Sequence, residues 1–391
     1  MNIASAISPY WLRRVPAWTA RLRLCRLRSF MISLFCCRIA LLPCSRDGKD
    51  LTVIATDRAC FVCHVTVRGW SRGCRAGALS GGRRKPTSSS AMAIVPFNAG
   101  QPLPAELMPR AASLAAGAPV VVMIHGYRYC PATPACDPHR HILALKPDLP
   151  ASGRSRSWPG ALGFTADGSE GLALTFGWSA RGRLHAAYRR AGSVGQDLSA
   201  MIASLSEAAE RPVHVIAHSL GARVALQALA HAAPGSIGRV ILMAAAELRG
   251  PAEAAADSPA GRRAEIINVT SRENDLFDFA MEILVGRARR PALGFGLRQP
   301  RRNWLDLQID AAATRSGLAG LGFHIGSDVA RACHWSPYLR DGLFDFYRVA
   351  LAQPWALPLD LLRDHLPAVQ APRWSRLLQP PRLVQSSFSK A

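Results

Sequence analysis

Several features that would place a chain quickly are missing from this one. No apolar run is long enough to cross a bilayer. The best, Phe30 to Leu42, is interrupted by Arg38 and falls short of the roughly 20 residues a spanning helix needs. Arg13-Arg14 is followed by Val-Pro instead of a hydrophobic stretch, so it does not read as a twin-arginine export signal, and no small-residue cleavage site closes the apolar segment. Cysteine is scarce over most of the length. Seven of ten lie between Cys25 and Cys74, and only Cys130, Cys136 and Cys333 lie beyond. The seven are odd in number and irregularly spaced, which is not a disulfide framework. There is no internal repeat, and no basic stripe with interleaved aromatics marks a nucleic-acid groove.

What is present is a chain of 391 residues, 49% hydrophobic and rich in Ala, Gly, Pro and Arg. That is long and apolar enough to bury a full α/β core. The net charge of +22 is unevenly placed. Residues 1–90 hold fourteen Arg and two Lys against three Asp, so thirteen of those charges sit in under a quarter of the chain. The rest are scattered arginines on a solvated surface, and nucleic acid is not an expected partner. Residues 1–91 therefore stand apart as a basic, Cys- and Arg-rich segment, joined through the linker-like Gly81–Ser90. The expectation is upstream sequence ahead of a start near Met92; a basic anchor making peripheral membrane contact is the alternative. Cys60-Phe-Val-Cys63-His64 has the haem-attachment spacing, but its Arg-rich, strand-like surroundings argue against haem, and a zinc site using Cys74 is supported little better.

From Ala118 onward, strand-like and helix-like segments alternate. Pro119–Ile124, Gly171–Trp178, Val213–Ile216, Arg239–Ala244, Ala264–Thr270 and Trp304–Asp310 read as strands. Val194, Leu198, Met201, Ile202 and Leu205 recur at helical spacing, and Leu343, Phe344, Phe346, Tyr347 and Val349 suggest a closing helix. The alternation predicts an α/β fold, a mainly parallel sheet with helices on both faces, over residues 92–370. The proline-containing tail, 371–391, is expected to carry little order.

The most informative stretch is Val213-His-Val-Ile-Ala-His-Ser219-Leu-Gly221-Ala-Arg223, a β-branched strand, an abrupt small-residue turn and then a helix. It matches the nucleophile elbow G-x-S-x-G with Ala217 at the first glycine, and holds a serine hydroxyl beside the first helical N–H groups. A serine needs a histidine to take its proton and a carboxylate to orient that histidine, in the order serine, acid, histidine. The polar loop Ser271-Arg-Glu-Asn-Asp275-Leu-Phe-Asp278 follows a strand, where ligands meet an open α/β sheet. Asp275 is the expected acid, ahead of Asp278 and of Glu247. His334, in Cys333-His-Trp-Ser-Pro-Tyr338, is the expected base, ahead of His324 in a glycine-rich loop. The pair His125-Gly126 predicts an oxyanion hole from the N–H groups of Tyr127 and Leu220. Asp137, His139 and His141 could gather a metal but read better as a helix start, and Cys130 and Cys136 as free thiols. Trp158, Trp178 and Trp335 suit an acyl pocket or core packing equally.

With these residues the chain resembles the α/β-hydrolase superfamily over roughly residues 92–365. More narrowly it is similar to a bacterial branch with no assigned substrate, distantly related to lipases and esterases. That likeness rests on His125-Gly-Tyr127, Phe176-Gly-Trp-Ser-Ala-Arg-Gly182 and Ala217-His-Ser-Leu-Gly-Ala-Arg223. It implies Ser219, Asp275 and His334 as a triad. The expected reaction is hydrolysis of carboxylic esters, with lipid or acyl substrates favoured and no cofactor or metal, and the expected location is cytoplasmic. A thioesterase or acyltransferase is the nearer alternative, and a non-catalytic binding protein of the same fold the farther one.

Overall fold

Val120–Ile124, Leu172–Gly177 and Val213–His218 are buried along their whole length, as strands with a protein layer on each side must be. In the computed structural model, which describes residues 94–148, 156–166, 170–327 and 330–378, they lie side by side in a seven-stranded sheet. The strands are β1 (Ile94–Asn98), β2 (Val120–Ile124), β3 (Leu172–Gly177), β4 (Val213–His218), β5 (Ile237–Met243), β6 (Glu265–Thr270) and β7 (Trp304–Gln308). Their order is β1-β3-β2-β4-β5-β6-β7, and every pair is parallel. The main helices are α1 (Leu107–Ala112), α2 (Leu184–Ala209), α3 (Leu220–His231), α4 (Arg249–Asp257), α5 (Asp275–Leu284), α6 (Ala312–Gly320), α7 (Leu343–Ala352) and α8 (Leu359–His365).

Successive residues of a strand point to opposite faces, and the core divides accordingly. Val120, Val122 and Ile124 pack with Leu198, Ile202 and Leu205 of α2 and with Val224 of α3. Val121 and Met123 pack on the other face with Ile216, Ile241 and Ile267, beneath Phe346 and Tyr347 of α7. The α/β expectation and each of the six expected strands are therefore met. The seventh, β1, was not read from the sequence, because Ile-Val-Pro-Phe-Asn carries a proline. Pro96 is tolerated since β1 pairs with β3 alone and its other edge needs no N–H donor.

Buried Arg239 fastens the last helices to the sheet. It donates to the carbonyls of Ala350 (3.0 Å) and Leu357 (2.8 Å) while pairing with Glu265. The tail departs from expectation up to residue 378. Ala371 N–H donates to Gln308, Trp374 N–H to Asp275 Oδ2 (2.5 Å), and Arg376 pairs with Asp310 (2.8 Å). Those carboxylates give residues 371–378 a docking site that hydropathy does not reveal. Pro380 and Pro381 lie outside the described residues, as do residues 1–93 with their haem, zinc and start-site readings. Among the described residues no helix is long and apolar enough to cross a membrane.

Candidate active site

All strands being parallel, their C-terminal ends share one edge, and the loops after β2, β4 and β6 meet there. Ser219 sits between β4 and α3 at φ 54° and ψ −123°, a left-handed conformation that costs a non-glycine residue about 1–3 kcal/mol. Neighbouring backbone holds it there. Ser219 N–H donates to Met243 O and Ser219 O accepts from Ala246 N–H, both at 2.9 Å. The turn is tight enough to dictate its neighbours. A β-carbon on Gly221 would lie 2.5 Å from the His125 carbonyl and 2.6 Å from that of Ile124, and one on Gly126 would lie 2.7 Å from Ser219 Cβ. Alanine at 217 is tolerated, fully buried at the end of β4.

His334 reaches this serine from the loop before α7. Its Nε2 lies 2.8 Å from Ser219 Oγ, and its Nδ1 lies 2.7 Å from Asn274 Oδ1. An amide oxygen only accepts, so His334 carries its proton on Nδ1 and presents a bare Nε2 to the serine hydroxyl. Burial, with buried His218 beside it, holds His334 well below the usual imidazole pKa, so it rests neutral. Phe277 stacks on its ring at 4.6 Å.

The partner of His334 is thus Asn274 and not Asp275. Ser271 Oγ accepts from Glu273 N–H and starts a 3₁₀ turn over Arg272–Asn274, which aims Asn274 at the histidine. Asp275 begins α5, where the next side chain is turned by about 100°. Its carboxylate meets Trp374 N–H and Arg272 instead. Asp278, one helical turn on, accepts from Asn274 Nδ2 at 3.1 Å. Glu247 is held by Tyr188, Arg223 (2.7 Å) and Leu248 N–H, under α2 and α3. His324 is exposed on its loop. Residue type pointed at carboxylates, and the residue that meets Nδ1 here is an amide that only the 3₁₀ turn could have singled out.

Two further residues fix the histidine loop. Glu273 is fully enclosed and binds Arg340 through both oxygens at 2.9 Å, Ala330 N–H at 2.6 Å and the Ser336 hydroxyl. Its own carbonyl accepts from Cys333 N–H at 2.9 Å. His218 donates from Nε2 to the His334 carbonyl at 3.0 Å, and burial lowers its pKa to about 4, so it stays a neutral brace.

On the other side, His125 stacks on Trp178 and accepts from Trp178 N–H at 3.0 Å, while the indole N–H donates to His125 O. This bracing sets the course of the loop through Gly126 to Tyr127, whose hydroxyl donates to Gly182 O. Trp158 packs on His218 and Tyr338, and half-buried Trp335 lies edge-on to His334 and Phe277. Trp158 and Trp178 are core supports, leaving Trp335 as the indole at the rim. A cavity of about 760 Å³ bordered by Pro119, Phe164 and Trp355 lies by the start of β2, at the opposite sheet edge from Ser219.

Among the described residues no three His, Cys, Asp or Glu side chains gather as a metal site. Asp137 caps a 3₁₀ turn through His139 N–H, His139 contacts Asn98 and Thr175, and His141 packs on Tyr129. Cys130 and Cys136 are free thiols. No family model matches the chain, and no curated protein matches it either.

Proposed function

We propose that this protein is a serine hydrolase built on an α/β-hydrolase fold and acting on carboxylic esters. The observation that carries the reading is the 2.8 Å contact between Ser219 Oγ and His334 Nε2, made by a serine held at positive φ between strand and helix. In this reading Ser219 Oγ attacks the ester carbonyl as its proton passes to His334 Nε2. The oxyanion is taken by the N–H groups of Tyr127 and Leu220. Leu220 opens α3, where an N–H has no intrahelical acceptor. His334 then returns the proton to the departing alcohol, leaving Ser219 acylated. Water, deprotonated by the same Nε2, releases the acid and restores the serine. Asn274 Oδ1 holds Nδ1–H throughout, fixing the tautomer without supplying a full negative charge. Free thiols in one loop at Cys130 and Cys136 suit a reducing, cytoplasmic setting.

Asn274 also favours a second reading, a binding protein that keeps the fold without turning over esters, because among the described residues no carboxylate is hydrogen-bonded to the imidazole. Turnover of p-nitrophenyl butyrate by the purified chain separates the two. The hydrolase reading expects hydrolysis that Ser219→Ala abolishes. Equal rates for the two proteins would sink it.

A further inference from the structure

A histidine paired with an asparagine has two self-consistent arrangements. With Oδ1 toward the ring, Nδ1 is protonated and Nε2 is a base. With the amide turned over, Nδ2 donates to a bare Nδ1, and Nε2 carries the proton and cannot accept one from serine. Something on the far side of the amide must decide between them. The only far-side partner of Asn274 Nδ2 among the described residues is Asp278 Oδ1, at 3.1 Å. Asn274 and Asp278 lie one helical turn apart on the same face. The Asp278 carboxylate is itself fixed. It is fully buried and lies so close over Gly294 that a β-carbon there would collide with it.

We infer that Asp278 is a positioning residue that sets the orientation of the Asn274 amide, and through it the proton-accepting tautomer of His334. The inference rests on the hydrolase reading for its consequence in catalysis, but not for the tautomer itself. An ionised carboxylate only accepts, so it holds Nδ2 and leaves Oδ1 for the histidine. A turned amide would set Oδ1 against carboxylate oxygen, and would set Nδ2 against the Nδ1–H that His334 must carry once it is an imidazolium. The arrangement separates two tasks that one carboxylate performs in a serine–histidine–aspartate triad. Asn274 contacts the ring, and Asp278 gives that contact its direction.

The test uses the full chain with ¹⁵N-labelled histidine and reads the protonation of each His334 ring nitrogen by NMR, alongside the rate of labelling by a fluorophosphonate. In the wild type, at alkaline pH where Asp278 is ionised, Nδ1 is expected to bear the proton. In Asp278→Ala a population with the proton on Nε2 is expected. The labelling rate should fall at least about twofold, in proportion to the competent fraction. Asn274→Asp combined with Asp278→Ala should restore Nδ1–H and labelling, because a carboxylate presents an acceptor whichever way it is turned. Loss of packing at 278 would not be repaired from 274. Asp278→Leu, which keeps the shape and removes the acceptors, carries the same test if the alanine variant does not fold. A folded variant at 278 with Nδ1–H wholly retained overturns the inference. A wild type that never labels overturns the hydrolase reading, and the ring-nitrogen spectra still decide the role of Asp278.

Discussion

Asn274 gives His334 direction without charge, and that choice sets what the site can do. In the proposed reaction the imidazolium would gain less than it would from a carboxylate, while the tautomer stays correct, so removing the amide should be costly. Asn274→Leu is expected to lower kcat by about 10³-fold or more with KM little changed, the scale seen when a triad loses its orienting group. Burial pushes the Asp278 carboxyl up to about 7, with Asp275 adding to the shift and Arg272, Arg373 and the Asn274 amide opposing it. A protonated Asp278 can donate to Oδ1 and release the amide, so ester turnover should rise with pH through about 7. The unfolded carboxyl titrates near its ordinary 3.8, so folding takes up a proton between 3.8 and about 7. Native stability from this group is therefore greatest below that window and falls as pH rises across it. Urea titrations of wild type and Asp278→Asn from pH 4 to 8 should show the difference moving in the variant's favour. At this scale the meeting of Ser219 and His334 was legible from order and turn chemistry. Asn274 was not, because expectation followed residue type, and a one-residue rotation at the start of α5 turned the favoured Asp275 away.

The elements explain why these residues meet. The elbow works only if α3 starts hard against the end of β2. Gly221→Ala should then lose stability by about 1–3 kcal/mol or more, since its β-carbon would enter the His125 and Ile124 carbonyls. The loop carrying His334 has little regular structure of its own and is held by Glu273. Glu273→Gln breaks a buried pair with Arg340 from one side, a change that typically costs about 3–5 kcal/mol. A lower melting temperature and a reduced kcat are expected together, because the same contact places His334. Strands β2 to β7 were legible as apolar runs between turn residues. β1 was not, being short and proline-bearing, and the Glu273 clamp was not, because it joins segments some sixty residues apart.

Across the described residues, the parallel sheet gathers the candidate site at one edge, and residues 371–378 close the α5 flank. Composition describes these residues as a tail, yet Trp374, Arg373 and Arg376 engage Asp275, Glu282 and Asp310. A chain ending at Gln370 should melt at lower temperature and react more slowly, with differential scanning calorimetry and ester turnover as the checks. Above all, this edge is proposed to hold an activated serine. Treatment of the full chain with a fluorophosphonate, followed by mass mapping of the adduct, tests for one. A phosphonyl adduct on Ser219 that disappears in Ser219→Ala and weakens in His334→Ala is the result expected. An unmodified Ser219, or an adduct undiminished in Ser219→Ala, would rule out an activated serine at this edge.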